Sequence, residues 1–309
     1  MTPRMLLILS ENWTLTSGRE LRDLVRWARI AEDTGFDAVM LSEHVVLGPD
    51  ASADGVMANP REYALPGNQD PATPWPNSLL LLASIAAVTR RIRLVAGAVI
   101  APLRHPLLLA RELGTLDLLA GGRLVVQPTV SWSADEYRAL GVPFERRGAI
   151  LDEQLEILDL VWRGSPVSYA GRHFRFTDIH LEPMAYRAGG PRMWFGGATL
   201  HPPLTRRLVR YGHGWHPLGQ PAAEDRVALA TAMAAAGRSM TELELVGGTR
   251  ARFPDDRSVA DLGEAMAALP EQLSHGFTTF CVKPSQFIDD PAELESLCRD
   301  VMRRADRLA

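Results

Sequence analysis

The tripeptide Ser42-Glu43-His44 closes the short apolar run Ala38-Val39-Met40-Leu41. A histidine placed at the end of a buried strand can exchange protons, because imidazole titrates near neutrality. Glu43 either orients that ring, binds a polar ligand edge, or stands in solvent. A second group is Gly196-Gly197-Ala198-Thr199, just ahead of a helix predicted from Pro203. Small residues let backbone N–H groups approach a phosphate, and a helix amino end adds positive potential. The same four residues would equally make an ordinary tight turn. The remaining histidines, 105, 173, 180, 201, 213, 216 and 275, show no HExxH or other ligand spacing, so no metal site is expected. Neither a phosphate-binding GxxxxGK[ST] loop nor a GxSxG elbow is present.

What positions these residues is an alternation of short apolar runs and longer amphipathic segments. Strands are predicted at 4–9, 38–41, 92–100, from 124, at 192–195, 214–215, 243–251 and 277–282. Helices are predicted at 18–34, 79–89, 106–119, 147–162, 203–211, 222–236, 259–273 and 291–307. Gly35 and Gly121-Gly122 read as helix stops. The stretch 48–76, rich in Pro, Gly, Asn and Asp, reads as a long functional loop, and 165–188 as an insertion; both are expected to shape a pocket. Arg90-Arg91-Ile92-Arg93 reads as a solvated helix cap.

Eight strands joined by helices must run parallel, and their apolar runs suit a sheet covered on both faces. A single (β/α)8 TIM barrel over residues 1–309, with an insertion after the fourth βα unit, accounts for the count. A doubly wound sheet would place a glycine-rich turn after the first strand, where Ser10-Glu11-Asn12-Trp13 stands instead. In a barrel, chemistry is built at strand carboxyl ends. That rule selects Glu11 and Asn12, then Ser42, Glu43 and His44, then Ala98 and Val99. It also selects Gln127 to Trp132, Gly196 to Thr199, Trp215 and His216, and Arg250 and Arg252.

Composition narrows the partners. With 309 residues, 46% of them hydrophobic, the chain can bury a large core. A formal charge of −4 offers no bulk attraction to nucleic acid or membrane. Cys281 and Cys298 sit in apolar or helical surroundings and read as reduced structural thiols. With neither a secretory signal pattern nor a membrane-length apolar run, a cytoplasmic protein is expected. Lys283 is the only lysine.

Several ordered stretches carry a resemblance. They are Gly35-Phe36-Asp37-Ala38-Val39 through His44, Thr89 to Ala101 with Pro102-Leu103-Arg104-His105-Pro106, and Thr115-Leu116-Asp117 with Gly121-Gly122-Arg123-Leu124. Leu140-Gly141-Val142-Pro143-Phe144 with Arg147-Gly148 follows, then Trp194-Phe195-Gly196-Gly197 with Tyr211-Gly212-His213-Gly214-Trp215. In these the chain resembles the luciferase-like monooxygenase superfamily of flavin- and coenzyme F420-dependent barrel oxidoreductases, from about Met5 to Pro217. Val45-Val46-Leu47 and Pro74-Trp75 are similar to the F420-dependent branch.

The resemblance implies an oxidoreductase acting on a small-molecule substrate with F420, or alternatively FMN, and a homodimer. It places His44 at the reactive edge of the ring, Glu43 near the ring's polar end, and Ser42 beside it. It implies a non-prolyl cis peptide at Ala98-Val99, forming a bulge under the ring. Gln127, Val130 and Ser131 would line the cofactor, while Gly196, Gly197, Ala198, Thr199 and Tyr137 would approach its phosphate. Two departures stand out. Where the family has Gly-x-Gly-x-Gly-Trp, this chain has Gln127-Pro128-Thr129-Val130-Ser131-Trp132. Gly48 and Trp132 replace the tryptophan and glutamate of the F420-dependent sugar-phosphate dehydrogenases, which argues against that activity. Two further readings remain: a barrel that has lost its cofactor and serves as a binding protein, and a cofactor-free lyase or hydrolase relying on Glu43 and His44.

Overall fold

The computed structural model describes residues 2–197 and 199–308. In chain order the elements are β1 (Arg4–Ile8), α1 (Leu21–Thr34), β2 (Ala38–Leu41), α2 (Ser78–Val88), β3 (Arg93–Ile100), α3 (Pro106–Leu119) and β4 (Leu124–Thr129). There follow α4 (Ala134–Ala139), α5 (Arg147–Val161), β5 (Val167–Ala170), β6 (Arg175–Ile179), β7 (Arg192–Gly196), α6 (Pro202–Tyr211) and β8 (Gly214–His216). The last are α7 (Ala223–Ala235), β9 (Glu244–Gly248), α8 (Leu262–Met266), α9 (Leu269–Ser274), β10 (Thr279–Val282) and α10 (Leu294–Asp306).

Eight parallel strands close in the order β1-β10-β9-β8-β7-β4-β3-β2, the (β/α)8 architecture expected from the sequence. Period-2 alternation divides each strand between two apolar layers. Leu6, Ile8, Ala38, Met40, Val95, Val125, Trp194, Val246 and Cys281 form one cluster, which fills the barrel interior. Their strand neighbours, among them Met5, Leu7, Val39, Leu94 and Val126, join the larger cluster between sheet and helices. Each fully buried leucine or valine there contributes about 1.5–3 kcal/mol. Both thiols lie buried, as expected, and burial raises their pKa values to about 12.

The structure alters several details. The helix predicted over 259–273 is two short ones, α8 and α9, because Pro270 has no N–H and its ring clashes with the preceding turn. Segment 165–188 contains an antiparallel hairpin, β5-β6, fastened to α5: Glu153 accepts the N–H groups of Arg172 and His173, and Tyr169 donates to Glu156. Its hydrogen bonds among the described residues run to α5 and to Asp117 of α3, and Phe174 packs against His105 at the start of α3. Arg93 is no solvated cap: its guanidinium pairs with Asp37 and Glu244 at the base of the barrel. The short helix α4 was not anticipated, and it proves central to the site.

No helix among the described residues is long and apolar enough to cross a membrane.

Candidate active site

His44 leaves the carboxyl end of β2 and lies between two indoles, with ring centroids 5.0 Å from Trp75 and 5.4 Å from Trp132, both edge-on. Only about a tenth of its side chain meets solvent. Its Nδ1 is 3.4 Å from Oε2 of Glu136, a fully buried carboxylate on α4. Glu136 also accepts the Val45 N–H at 2.6 Å and the Ser131 hydroxyl at 3.1 Å. An acceptor facing Nδ1 requires the proton there, so neutral His44 presents a bare Nε2. Consistent with that, the Gln69 amide nitrogen stands 3.5 Å from Nε2 as a donor, at the outer limit of a hydrogen bond.

Glu136 is held by its neighbours. Ser133 caps α4, its hydroxyl accepting the Glu136 N–H at 3.3 Å. Ser131, at φ +57°, turns its hydroxyl towards both Glu136 and the Ser133 N–H. Ser-x-x-Glu is the spacing of a capping box, in which the glutamate normally turns back to its own helix start. Here that carboxylate reaches across to β2 instead. The spacing was legible in the sequence; the partner was not.

Glu43 has a different occupation. Its carboxylate accepts both guanidinium nitrogens of Arg104 at 2.7 and 3.0 Å, the Ser78 hydroxyl at 3.1 Å and the Ile100 N–H at 2.9 Å. With its acceptor sites filled, Glu43 fixes the ends of β2 and β3 and the start of α2. Ser42 donates its N–H to the Ser10 hydroxyl, which aligns the ends of β1 and β2.

The cis peptide lies one bond earlier than expected, at Gly97-Ala98 rather than Ala98-Val99. The β3–β4 register shifts there, between Gly97 and Val99. Gly97 is required to be glycine because a Cβ would lie 2.7 Å from the Met40 sulfur inside the barrel. Ala98 remains partly accessible, whereas Val99 is fully buried in the outer core. Ala98 therefore faces the mouth at the bulge and Val99 does not.

On the opposite wall, Gln127 Oε1 lies 3.1 Å from Nδ1 of His216, and burial pushes His216 down to about 4, so it is neutral near pH 7. The Gln127 amide nitrogen packs against Gly196, where a Cβ would lie 2.6 Å from it. Gly197 donates its N–H to the His216 carbonyl. These glycines are thus explained by close packing. Ala198 lies outside the described residues, and Thr199 is exposed. The expected helix-end donors are missing, because α6 opens with Pro202-Pro203 and neither has an N–H. His201 Nδ1 caps the Leu204 N–H, and the Thr205 N–H bonds the His201 carbonyl. Tyr137 is buried, with its hydroxyl donating to the Val130 carbonyl at 2.5 Å, so it braces the β4 loop rather than facing the mouth. Trp215 is buried in the outer core, and Asn12 is consumed in hydrogen bonds to the Ile8 and Ser10 carbonyls and the Ser285 N–H. Arg250 and Arg252 are exposed, and Glu11 is half-buried at φ +57°.

The 48–76 loop straps the mouth. At one end Asp50 accepts the Ser133 hydroxyl and the Asp135 N–H. Gly48 packs so close to Asp135 that a Cβ would meet its carboxylate at 2.5 Å. At the other end Asn59 donates to the Asp255 and Ser258 carbonyls, Arg61 pairs with Asp289, and Lys283 donates to the Glu62 carbonyl. Lys283 is fully buried at the end of β10, beneath the Tyr63 ring. Burial lowers its pKa, against the opposing pull of Glu11 and Glu62. Gln69 and Trp75 reach the site on this strap, and Lys283 meets the strap from the carboxyl end of β10; of the three, only Trp75 was picked out from the sequence.

The ring end of a flavin or deazaflavin is matched by His44, the Ala98 bulge and the two indoles. The start of α6 does not supply phosphate donors. Among the described residues no cluster of three or more His, Cys, Asp or Glu could hold a metal.

Comparison with known proteins gives the lineage. An uncharacterized protein of Mycobacterium tuberculosis is 36% identical over 193 residues, which cover 61% of this chain and 64% of that protein's length. The FMNH(2)-dependent dimethylsulfone monooxygenase of Pseudomonas putida is 24% identical over 272 residues, 86% of this chain and 66% of that one. Among solved structures, the monooxygenase RslO1 from Streptomyces bottropensis superposes with a TM-score of 0.72 at 22% identity, covering 98% of both chains. The coenzyme F420-dependent tetrahydromethanopterin reductase of Methanopyrus kandleri gives 0.69 at 15% identity, covering 98% and 99%. The family model for luciferase-like monooxygenase matches residues 3–269. The chain belongs to the luciferase-like monooxygenase family, whose members are flavin- or F420-dependent oxidoreductases and monooxygenases.

Proposed function

We propose that this protein is an oxidoreductase that seats a reduced deazaflavin, coenzyme F420, across the barrel mouth and transfers hydride to or from a small organic substrate. The observation that carries the reading is the buried Glu136 carboxylate at Nδ1 of His44, which leaves Nε2 as a proton acceptor on the Gln69 side. When bound, the cofactor would supply the hydride in its reduced form or accept it in its oxidised form, which no side chain can. The protein orients the ring and holds a proton at His44 Nε2. Glu136 fixes the tautomer, and Trp75 and Trp132 limit water at the imidazole. Gln127 and Ser131 line the β4 side. The cofactor's anionic tail must find donors other than the amino end of α6.

FMNH2-dependent monooxygenation is the second reading, supported by the similarity to the dimethylsulfone monooxygenase over most of the chain. A third, a barrel without cofactor, is favoured by the donor-poor start of α6. We further propose a homodimer, with exposed Leu80 on α2 and Leu108 on α3, two helices packed together, as the apolar face for a second copy. A fluorescence titration of purified protein with F420 and with FMN separates the three readings. Saturable binding of F420 at lower concentration than FMN supports the first, and the reverse order the second. Absence of binding of either up to about 1 mM refutes both and leaves the third.

A further inference from the structure

A large cavity lies at the opposite end of the barrel from His44. It holds about 1180 Å³, above the roughly 300–1,000 Å³ of ordinary ligand pockets. Its walls are the amino ends of the strands: Arg4 begins β1, Arg93 begins β3, Arg192 begins β7, and His213 precedes β8. Eight arginines line it against three carboxylates. Those three are already paired, Asp37 with Arg93, Asp159 with Arg163 and Glu242 with Arg238. Glu244 behind the wall takes Arg4 and Arg93, and Glu156 takes Arg210. Arg123 is spent on carbonyls of the α2–β3 connection. Among the described residues, Arg187 and Arg192 have no carboxylate within 4 Å, and both are exposed.

Ordinarily the amino-terminal face of such a barrel serves stability. The Arg93–Asp37–Glu244 network does that here. Arg187 and Arg192 stand outside that network: neither forms an ion pair within 4 Å among the described residues, although the charge of Arg187 also acts on the Asp117 carboxyl. A neighbouring histidine adds a donor. His213 uses Nδ1 to accept the Met193 N–H at 3.2 Å, which in the neutral ring puts the proton on Nε2 as a further donor. Its pKa is held down first by burial and then by the charge of Arg192, Arg238 and Arg187. Positive charge thus gathers on one wall of the cavity, with two guanidiniums unpaired.

We infer that this basal cavity is a binding site for a small, multiply charged anion of the diphosphate class, free or as part of a nucleotide, gripped by Arg187, Arg192 and His213. The site is separate from the flavin site and independent of that assignment. Arginine suits it because its planar fork binds phosphate oxygens in pairs.

Calorimetric titration of the full chain at low salt, with inorganic pyrophosphate and with ADP, tests it. Saturable one-to-one binding is expected. Arg187→Ala with Arg192→Ala should weaken it about tenfold or more, since each lost charged hydrogen bond is a large fraction of a decade or more. Arg192→Glu alone should do at least as much. Because both side chains are exposed, unliganded melting temperatures should not change. Tighter binding of ADP than pyrophosphate identifies a nucleotide, and equal binding a free diphosphate; both support the site. The proposal is overturned if the wild type shows no saturable binding up to about 5 mM. Binding unchanged in the double variant would also overturn it, as would tighter retention of duplex DNA than of either probe.

Discussion

Glu136→Gln is the perturbation that most directly examines the proposed proton path. The buried carboxylate accepts the Val45 N–H at 2.6 Å, the Ser131 hydroxyl at 3.1 Å, and faces His44 Nδ1 at 3.4 Å. In the glutamine variant the amide oxygen stays on Val45, the shortest of the three. The amide nitrogen then faces Ser131 and His44, where it can only donate. The serine hydroxyl can reverse; a neutral imidazole can adapt only by moving its proton to Nε2. One charge-assisted bond becomes neutral, two reverse, and the long Gln69 contact to Nε2 is lost, which together cost about 2–3 kcal/mol of stability. The functional effect should be larger. A base whose lone pair points the wrong way forfeits most of the roughly 10²–10⁴-fold contributed by positioned proton transfer. Nitrogen-15 NMR of histidine-labelled protein reads the tautomer without any substrate, and should show His44 changing from Nδ1–H to Nε2–H. Turnover should fall by a similar factor in Glu136→Gln and His44→Ala, with the double variant no worse than either. An unchanged tautomer in a variant that still melts lower would show that Glu136 is only structural, and would sink the argument.

Further outcomes follow from neighbouring groups. His216 is buried neutral with its pKa depressed from 6.5 to about 4. Its contribution is complete above pH 6.5 and is lost as pH falls towards 4, about 3 kcal/mol in all. Chemical denaturation of wild type and His216→Gln at pH 7 and pH 4 should therefore show a smaller acid loss in the variant; equal losses would refute the assignment. Arg104→Ala strands the Glu43 carboxylate and should cost about 3–5 kcal/mol by the same assay, while Glu43→Gln with Arg104→Met should recover much of it. Gly196→Ala pushes a methyl to within 2.6 Å of the Gln127 amide. It should destabilise by about 1–3 kcal/mol and weaken cofactor binding, and a variant with wild-type melting and binding would show that the β4–β7–β8 contact is not tight.

The sequence alone determined the architecture. Period-2 apolar runs separated by helical repeats admit few closed solutions, and the parallel eight-stranded barrel is the one observed. It also determined that His44 stands just past a strand carboxyl end, whereas Gln127, expected after the fourth strand, lies within β4. The sequence predicts a phosphate grip ahead of α6, while the structure shows its first turn opening on Pro202-Pro203, which have no N–H. Only the tertiary structure decided what the polar residues face. Glu43 and Glu136 look alike in sequence, yet Arg104, 61 residues on, saturates the first, while the second crosses 92 residues to His44. The basal arginines come from strands and loops scattered along the chain. Apolar patterning is a local signal, because burial direction repeats with the backbone. Polar pairing is a long-range one, because a buried charge is satisfied by whatever the closed barrel brings within 3 Å, and no local spacing encodes that partner.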